Sequence, residues 1–123
     1  MHPITVLLAD DHNIVREGTH ELLSDVADIV VVGEAADGEE VVRAAARLQP
    51  DVVVMDVHMP KMNGIQATEQ IKQAFPTTRV LILSAYEDDH YVFPLLDAGA
   101  DGYLLKTTSE SILPEAACTS VQL

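Results

Sequence analysis

Five short, nearly unbroken aliphatic runs, each followed by a longer amphipathic segment, constrain this chain more than any other feature of it. The runs are Ile4-Thr5-Val6-Leu7-Leu8-Ala9, Ile29-Val30-Val31-Val32-Gly33, Val52-Val53-Val54-Met55, Arg79-Val80-Leu81-Ile82-Leu83 and Gly102-Tyr103-Leu104-Leu105. β-Branched runs without polar alternation point to strands covered on both faces, as in a parallel sheet. Parallel neighbours need crossover connections, and the intervening segments have the period and length of helices. The expected fold is therefore α/β: a doubly wound five-stranded parallel sheet with flanking helices in three layers.

The helices can be placed from their own signals. The first starts near Asn13, with Ile14, Gly18 and Leu22 at four-residue steps and Leu23 and Val26 beside them. Asp37, three residues ahead of Glu40, predicts a capping box for the second; Val41, Ala45 and Leu48 form its apolar face, and Pro50 marks its exit. The third starts near Asn63-Gly64 and carries Ile65, Ile71 and Phe75 up to Pro76. The fourth, from about Asp88, ends at Ala98-Gly99, where glycine suits a left-handed cap. Pro94 within it, and Pro114 soon after Ser109-Glu110-Ser111-Ile112, predict a disturbed fourth helix and a short or bent fifth.

The 123 residues make one domain, 1–123, with no internal repeat or linker. Twenty acidic residues against seven basic ones give a net charge of −13, so this fragment is not expected to bind nucleic acid. No run reaches the length of a membrane span, and the opening Met1-His2-Pro3-Ile4 lacks the marks of a secretory signal. Cys118 stands alone, which suits a reducing cytoplasm and reads as an inert thiol.

In a doubly wound sheet ligands sit beyond the carboxyl ends of the strands. Asp10 and Asp11 follow the first run, Asp56 the third, Ser84 the fourth and Lys106 the fifth. Singly, each has a plain role: Asp10 or Asp11 as a helix cap, Ser84 in a turn, Lys106 as a solvated charge. All of them at successive strand ends make a site. Three carboxylates brought together repel one another, and a hard divalent cation such as Mg²⁺, which takes oxygen ligands, relieves them. Asp56 is then placed to act as a nucleophile toward a phosphoryl group, with the ion and Lys106 offsetting its charge. His2, His20 and His90 are expected at the surface; His12 is close enough to the Asp pair to approach a metal but is expected to face solvent.

Four segments now resemble a known family, the response regulators of the NarL/LuxR (FixJ) type. They are Val6-Leu7-Leu8-Ala9-Asp10-Asp11-His12 with Arg16-Glu17-Gly18, Val54-Met55-Asp56-Val57-His58-Met59-Pro60-Lys61-Met62-Asn63-Gly64, Leu83-Ser84-Ala85-Tyr86, and Ala98-Gly99-Ala100-Asp101-Gly102-Tyr103-Leu104-Leu105-Lys106. The resemblance runs from about Ile4 to Thr107 and implies a flavodoxin-like (βα)5 receiver fold with strand order 2-1-3-4-5. It implies that Asp56 accepts the phosphoryl group, and that Asp11, Asp56 and the backbone carbonyl of His58 bind Mg²⁺ (or Mn²⁺), with Asp10 acting through water. It implies that Lys106 and Ser84 contact the phosphoryl group and that Tyr103 is the aromatic switch. His58 and Tyr86 would tune phosphoryl lifetime, and Pro60, Gly64 and Ala85 would shape the loops.

The implied donor is a sensor histidine kinase, and the implied response is a population shift, with a homodimer on phosphorylation. Transcription is the expected output, through a helix-turn-helix DNA-binding domain that would follow in a longer protein. No enzymatic turnover is expected beyond self-phosphorylation and slow autodephosphorylation. Two other functions would need different residues. A phosphatase of the haloacid dehalogenase type would carry a second Asp two residues after the nucleophile, where this chain has His58. A receiver-like module that never takes phosphate would not need the full acidic set with Ser84 and Lys106.

Overall fold

The computed structural model describes residues 3–56, 59, 61–84 and 97–105, the side chains at 84 and 103–105 excepted. Its elements run β1 (Ile4–Ala9), α1 (Asn13–Ser24), β2 (Ile29–Ala35), α2 (Gly38–Leu48), β3 (Val52–Asp56), α3 (Gly64–Ala74), β4 (Arg79–Ser84) and β5 (Gly102–Leu105). The strands form one parallel sheet in the order β2-β1-β3-β4-β5, as expected from the alternation and the resemblance. The fifth helix, most of the fourth, and Pro94 and Pro114 lie outside the described residues.

Alternation along the strands divides the core in two. Leu7, Val53, Met55, Val80 and Ile82 point to the face covered by α2 and α3, where Val41, Ala45, Ala67 and Ile71 meet them. Val6, Leu8, Val52, Val54, Leu81 and Leu83 point to the opposite face, where Leu23 of α1 packs. A fully buried aliphatic side chain contributes about 1.5–3 kcal/mol, so these two layers hold the sheet. β3 is buried along its whole length, as its unbroken apolar run requires. β2 departs from that expectation: it is an edge strand, and Val30 is 43% exposed.

Two helix starts form as read from the sequence. The Asp37 carboxylate accepts from the Glu40 backbone N–H at 2.8 Å, although Glu40 closes back on Ala36 N–H rather than on the cap residue. Asn63 accepts from Gln66 N–H at 3.0 Å while Gln66 accepts from Asn63 N–H at 3.3 Å, a complete capping box. Gly99 takes φ +106°, the left-handed cap expected at the end of the fourth helix.

The first helix is phased differently from its sequence pattern. Ile14 is 84% exposed and Gly18 is exposed, while Leu23 is buried and Leu22 and Val26 pack against the core. The face turned inward is set by Leu23 at one end and by Arg16 at the other, so Ile14 and Gly18 fall on the solvent side while Leu22 stays at the edge of the core.

Candidate functional site

The β1–α1 loop and the end of β3 lie side by side because β1 and β3 are parallel neighbours, with Ala9 opposite Met55. Asp10 therefore leaves β1 one residue past the register, and Asp56 is the last residue of β3. Both are buried, at 6% and 4% exposure, whereas the Asp11 side chain is 32% exposed. One ligand atom from each of Asp10, Asp11, His12 and Asp56 lies within 4.8 Å of all the others. Two carboxylates here are nearly closed off from solvent.

Local bonds shape the loop. The Asp10 N–H donates to Ala35 O at 3.0 Å, extending the β1–β2 ladder by one residue. The His12 N–H donates to Asp10 Oδ1 at 2.9 Å, a turn that a short acidic side chain makes with backbone two residues on. His12 Nδ1 stands 3.3 Å from Asp10 Oδ1 and 3.0 Å from Asp11 Oδ1. Since a carboxylate only accepts, this arrangement calls for a proton on Nδ1. The ring is 66% exposed, so His12 both faces solvent and joins the cluster.

The donor set is hard: three carboxylates and one imidazole, the oxygen-rich chemistry that suits a small divalent cation.

On the far side of the loop, α2 begins against the segment that follows β3. A Cβ added at Gly38 would stand 1.9 Å from the Met62 carbonyl oxygen, so only glycine allows that approach. Lys61 Nζ lies 3.7 Å from Asp37 Oδ2. The backbone N–H of Glu40 is the main cause that holds the Asp37 carboxyl below its ordinary value; burial opposes it, and Lys61, Arg43 and the Glu39 N–H add smaller lowering effects.

Of the residues singled out in the sequence, Asp10, Asp11 and Asp56 come together. Gly64 opens α3 and is buried, close behind the Asp56 loop. Ser84 ends β4 opposite Leu105, and Tyr103 sits on β5 opposite Ile82. His58, Pro60, Ala85, Tyr86 and Lys106 lie outside the described residues. Two residues were missed by sequence reasoning: Arg16 and Glu34, whose side chains meet behind Asp10 at 2.8 Å. Arg16 lies in the first family-like segment, and its position one turn into α1 from the Asp pair is the signal that points to it.

Residues 6–117 match the response regulator receiver domain family. The response regulator protein VraR of Staphylococcus saprophyticus is 46% identical over 114 residues, covering 93% of this chain and 54% of that protein, so the chain spans about half the length of that relative. Among solved structures, the receiver domain of the response regulator NarL from Mycobacterium tuberculosis superposes with a TM-score of 0.95 at 33% identity, covering 99% of this chain and 98% of that one. The CheY of Borrelia burgdorferi, solved in a complex with CheX, BeF₃ and Mg²⁺, superposes with a TM-score of 0.89 at 27% identity, covering 99% and 91%. With 112 of its 123 residues inside the family match and its fold, sheet order and acidic cluster in agreement, the chain belongs to the response regulator receiver domains of two-component systems.

Proposed function

We propose that Asp56 is the phosphoacceptor of this receiver and that Mg²⁺ (or Mn²⁺) bound beside it supports the transfer. The observation that carries the proposal is the convergence of Asp10, Asp11 and Asp56 at the carboxyl ends of β1 and β3. Asp11, Asp56 and the His58 backbone carbonyl would hold the ion directly, and Asp10 through water. Once bound, the ion supplies positive charge that relieves the carboxylates and offsets charge on the phosphoryl oxygens.

The chain's own part is positioning. A kinase phosphohistidine presents its phosphoryl group in line with an Asp56 oxygen; the P–O bond to Asp56 forms as the P–N bond breaks, and the imidazole nitrogen keeps the electron pair. Burial of Asp56 limits water around the acyl phosphate, so the product is one modified side chain per molecule that hydrolyses slowly. Lys106 would neutralise a phosphoryl oxygen, and Ser84 would donate to another, with Tyr103 following it inward. His58 and Tyr86 would set access to the acyl phosphate; Pro60, Gly64 and Ala85 would keep the loops open and in place.

The rewarded conformation then grows in population and passes to an output, for which a following helix-turn-helix DNA-binding domain and transcription are the NarL/LuxR-type expectation, with a homodimer as intermediate. The surroundings would be cytoplasmic, and among the described residues no helix is long and apolar enough to cross a membrane.

Incubation with a small acyl phosphate donor, followed by intact-mass analysis and peptide mapping, tests the proposal. One Mg²⁺-dependent phosphoryl group on Asp56, absent from Asp56→Asn, is the expected result. Equal labelling of Asp56→Asn, or labelling that ignores chelation of the metal, would remove Asp56 from this role.

A further inference from the structure

We propose that Arg16 and Glu34 form a positioning device for the metal-binding loop, and that a bulge in β2 exists to put them together. This rests on the metal site proposed above and concerns what holds its backbone in place.

Arg16 uses all three of its donor positions on three different parts of the molecule. Nη1 donates to the Asp10 carbonyl at 2.6 Å, Nη2 to Asn13 Oδ1 at 2.7 Å and Nε to Glu34 Oε1 at 2.8 Å. Its side chain is only 17% exposed. The Asp10 carbonyl shares a rigid peptide plane with the Asp11 N–H, so holding one end of that plane aims the chain as it enters Asp11. Glu34 neutralises the guanidinium, so Arg16 acts on the site through geometry more than through net charge.

Glu34 reaches Arg16 only because β2 changes phase. Ile29 and Val31 pack on the α1 side of the sheet. Ala35 packs on the α2 side, and Gly33 faces Leu48 of α2. The register explains the change: Val6 is opposite Val31 but Leu7 is opposite Gly33, so Val32 is an extra residue. With Val32 in regular register opposite Leu7, strict alternation would turn Glu34 toward α2; because Val32 is bulged, Glu34 pairs with Leu8 and turns to α1. There Glu34 Oε2 also lies 3.1 Å from His20 Nδ1, which holds the carboxylate from its other side.

A lysine cannot replace the fork, because a single ammonium on a flexible stem does not supply three donors in one plane. The test is Mg²⁺ titration of the wild type, Arg16→Lys, Glu34→Gln and the double variant, by calorimetry and by amide NMR at Asp11 and His12. Urea unfolding in EDTA is run alongside. We expect Arg16→Lys and Glu34→Gln each to weaken Mg²⁺ binding by roughly tenfold, the lower end for groups that orient metal ligands. The double variant should be no weaker than Arg16→Lys alone, because both changes undo one contact. Each variant should stay folded throughout the titration.

If the wild type binds Mg²⁺ and both single variants bind it equally well, the positioning device is overturned while the metal site stands. If affinity falls only as far as the folded fraction falls, the pair is structural and the proposal is again overturned. If the wild type itself binds no Mg²⁺, the metal site fails first and this proposal falls with it.

Discussion

The two rims of the sheet differ in the groups they gather. At the amino rim, Lys72 Nζ meets Asp101 Oδ2 at 3.2 Å and also donates to the Pro76 and Thr78 carbonyls, and Arg79 Nη1 meets Asp101 Oδ1 at 3.3 Å. The same Asp101 carboxylate accepts from Val80 N–H at 2.8 Å, and Asp51 accepts from the Thr5 N–H at 2.9 Å. Opposite signs meet there, and the backbone takes up the remaining bonds. At the carboxyl rim three carboxylates are gathered into one place. Volume does not distinguish the two: a cleft of about 390 Å³, lined by Gln49, Asp51, Phe75 and Arg79 among others, lies at the amino rim, away from the acidic cluster. The kind of charge gathered at each rim does distinguish them. Matched pairs at the amino rim stabilise the fold, and the three carboxylates at the carboxyl rim offer oxygen ligands to a cation.

Substitutions at the two rims should therefore separate stability from metal binding. Asp11→Ala is expected to lower Mg²⁺ affinity by about 100-fold or more, beyond the roughly 10- to 100-fold typical of residues that only orient ligands. Its stability in EDTA should be close to that of the wild type. Calorimetry checks the first statement and urea unfolding the second; unchanged Mg²⁺ affinity would remove Asp11 from the ligand set. Asp101→Ala should do the reverse. It removes the carboxylate that Arg79 and Lys72 share, though Lys72 keeps the Pro76 and Thr78 carbonyls, and it leaves the Val80 N–H without this acceptor. A loss of about 1–2 kcal/mol follows, chiefly from the Val80 N–H, with Mg²⁺ affinity unchanged. A metal-binding defect in Asp101→Ala would erase the contrast.

Smaller effects sharpen it. Asn63→Ala removes the capping box of α3, which starts just after the Asp56 loop, and should cost about 1 kcal/mol in urea unfolding. Asp37 gives a pH signature. Its folded carboxyl lies below the ordinary value of 3.8, chiefly because Glu40 N–H donates to it, so the folded protein releases this proton more readily than the unfolded chain. The stabilisation is present above the ordinary value and is lost as pH falls through the lowered one. Comparing wild type with Asp37→Asn by acid titration of stability checks this: the gap should close on acidification, and a gap that widens would contradict the sign.

Much of this was legible in the sequence because it depends on local pattern. Unbroken aliphatic runs gave the strands, Asp37 and Asn63 gave two helix starts, and polar residues at strand ends gave Asp10, Asp11 and Asp56. The rest depends on contacts between distant segments. Ile14 shares the spacing of a buried stripe, yet α1 turns it outward because Leu23 and Arg16 set the helix phase. Nothing in Val30-Val31-Val32-Gly33 marks Val32 as the extra residue, since any of these would look alike until β1 is laid beside them. Gly38 reads as an ordinary helix start until the Met62 carbonyl arrives against it. His12 was expected to face solvent, which it does, but its Nδ1 also reaches both Asp10 and Asp11.

The most direct test of a Mg²⁺-dependent phosphoacceptor at Asp56 is a beryllofluoride titration followed by amide NMR, with and without Mg²⁺. The expected result is a set of shifts centred on Asp11 and Asp56 that requires Mg²⁺ and vanishes in Asp56→Asn. Shifts that ignore Mg²⁺, or that persist unchanged in Asp56→Asn, would contradict it.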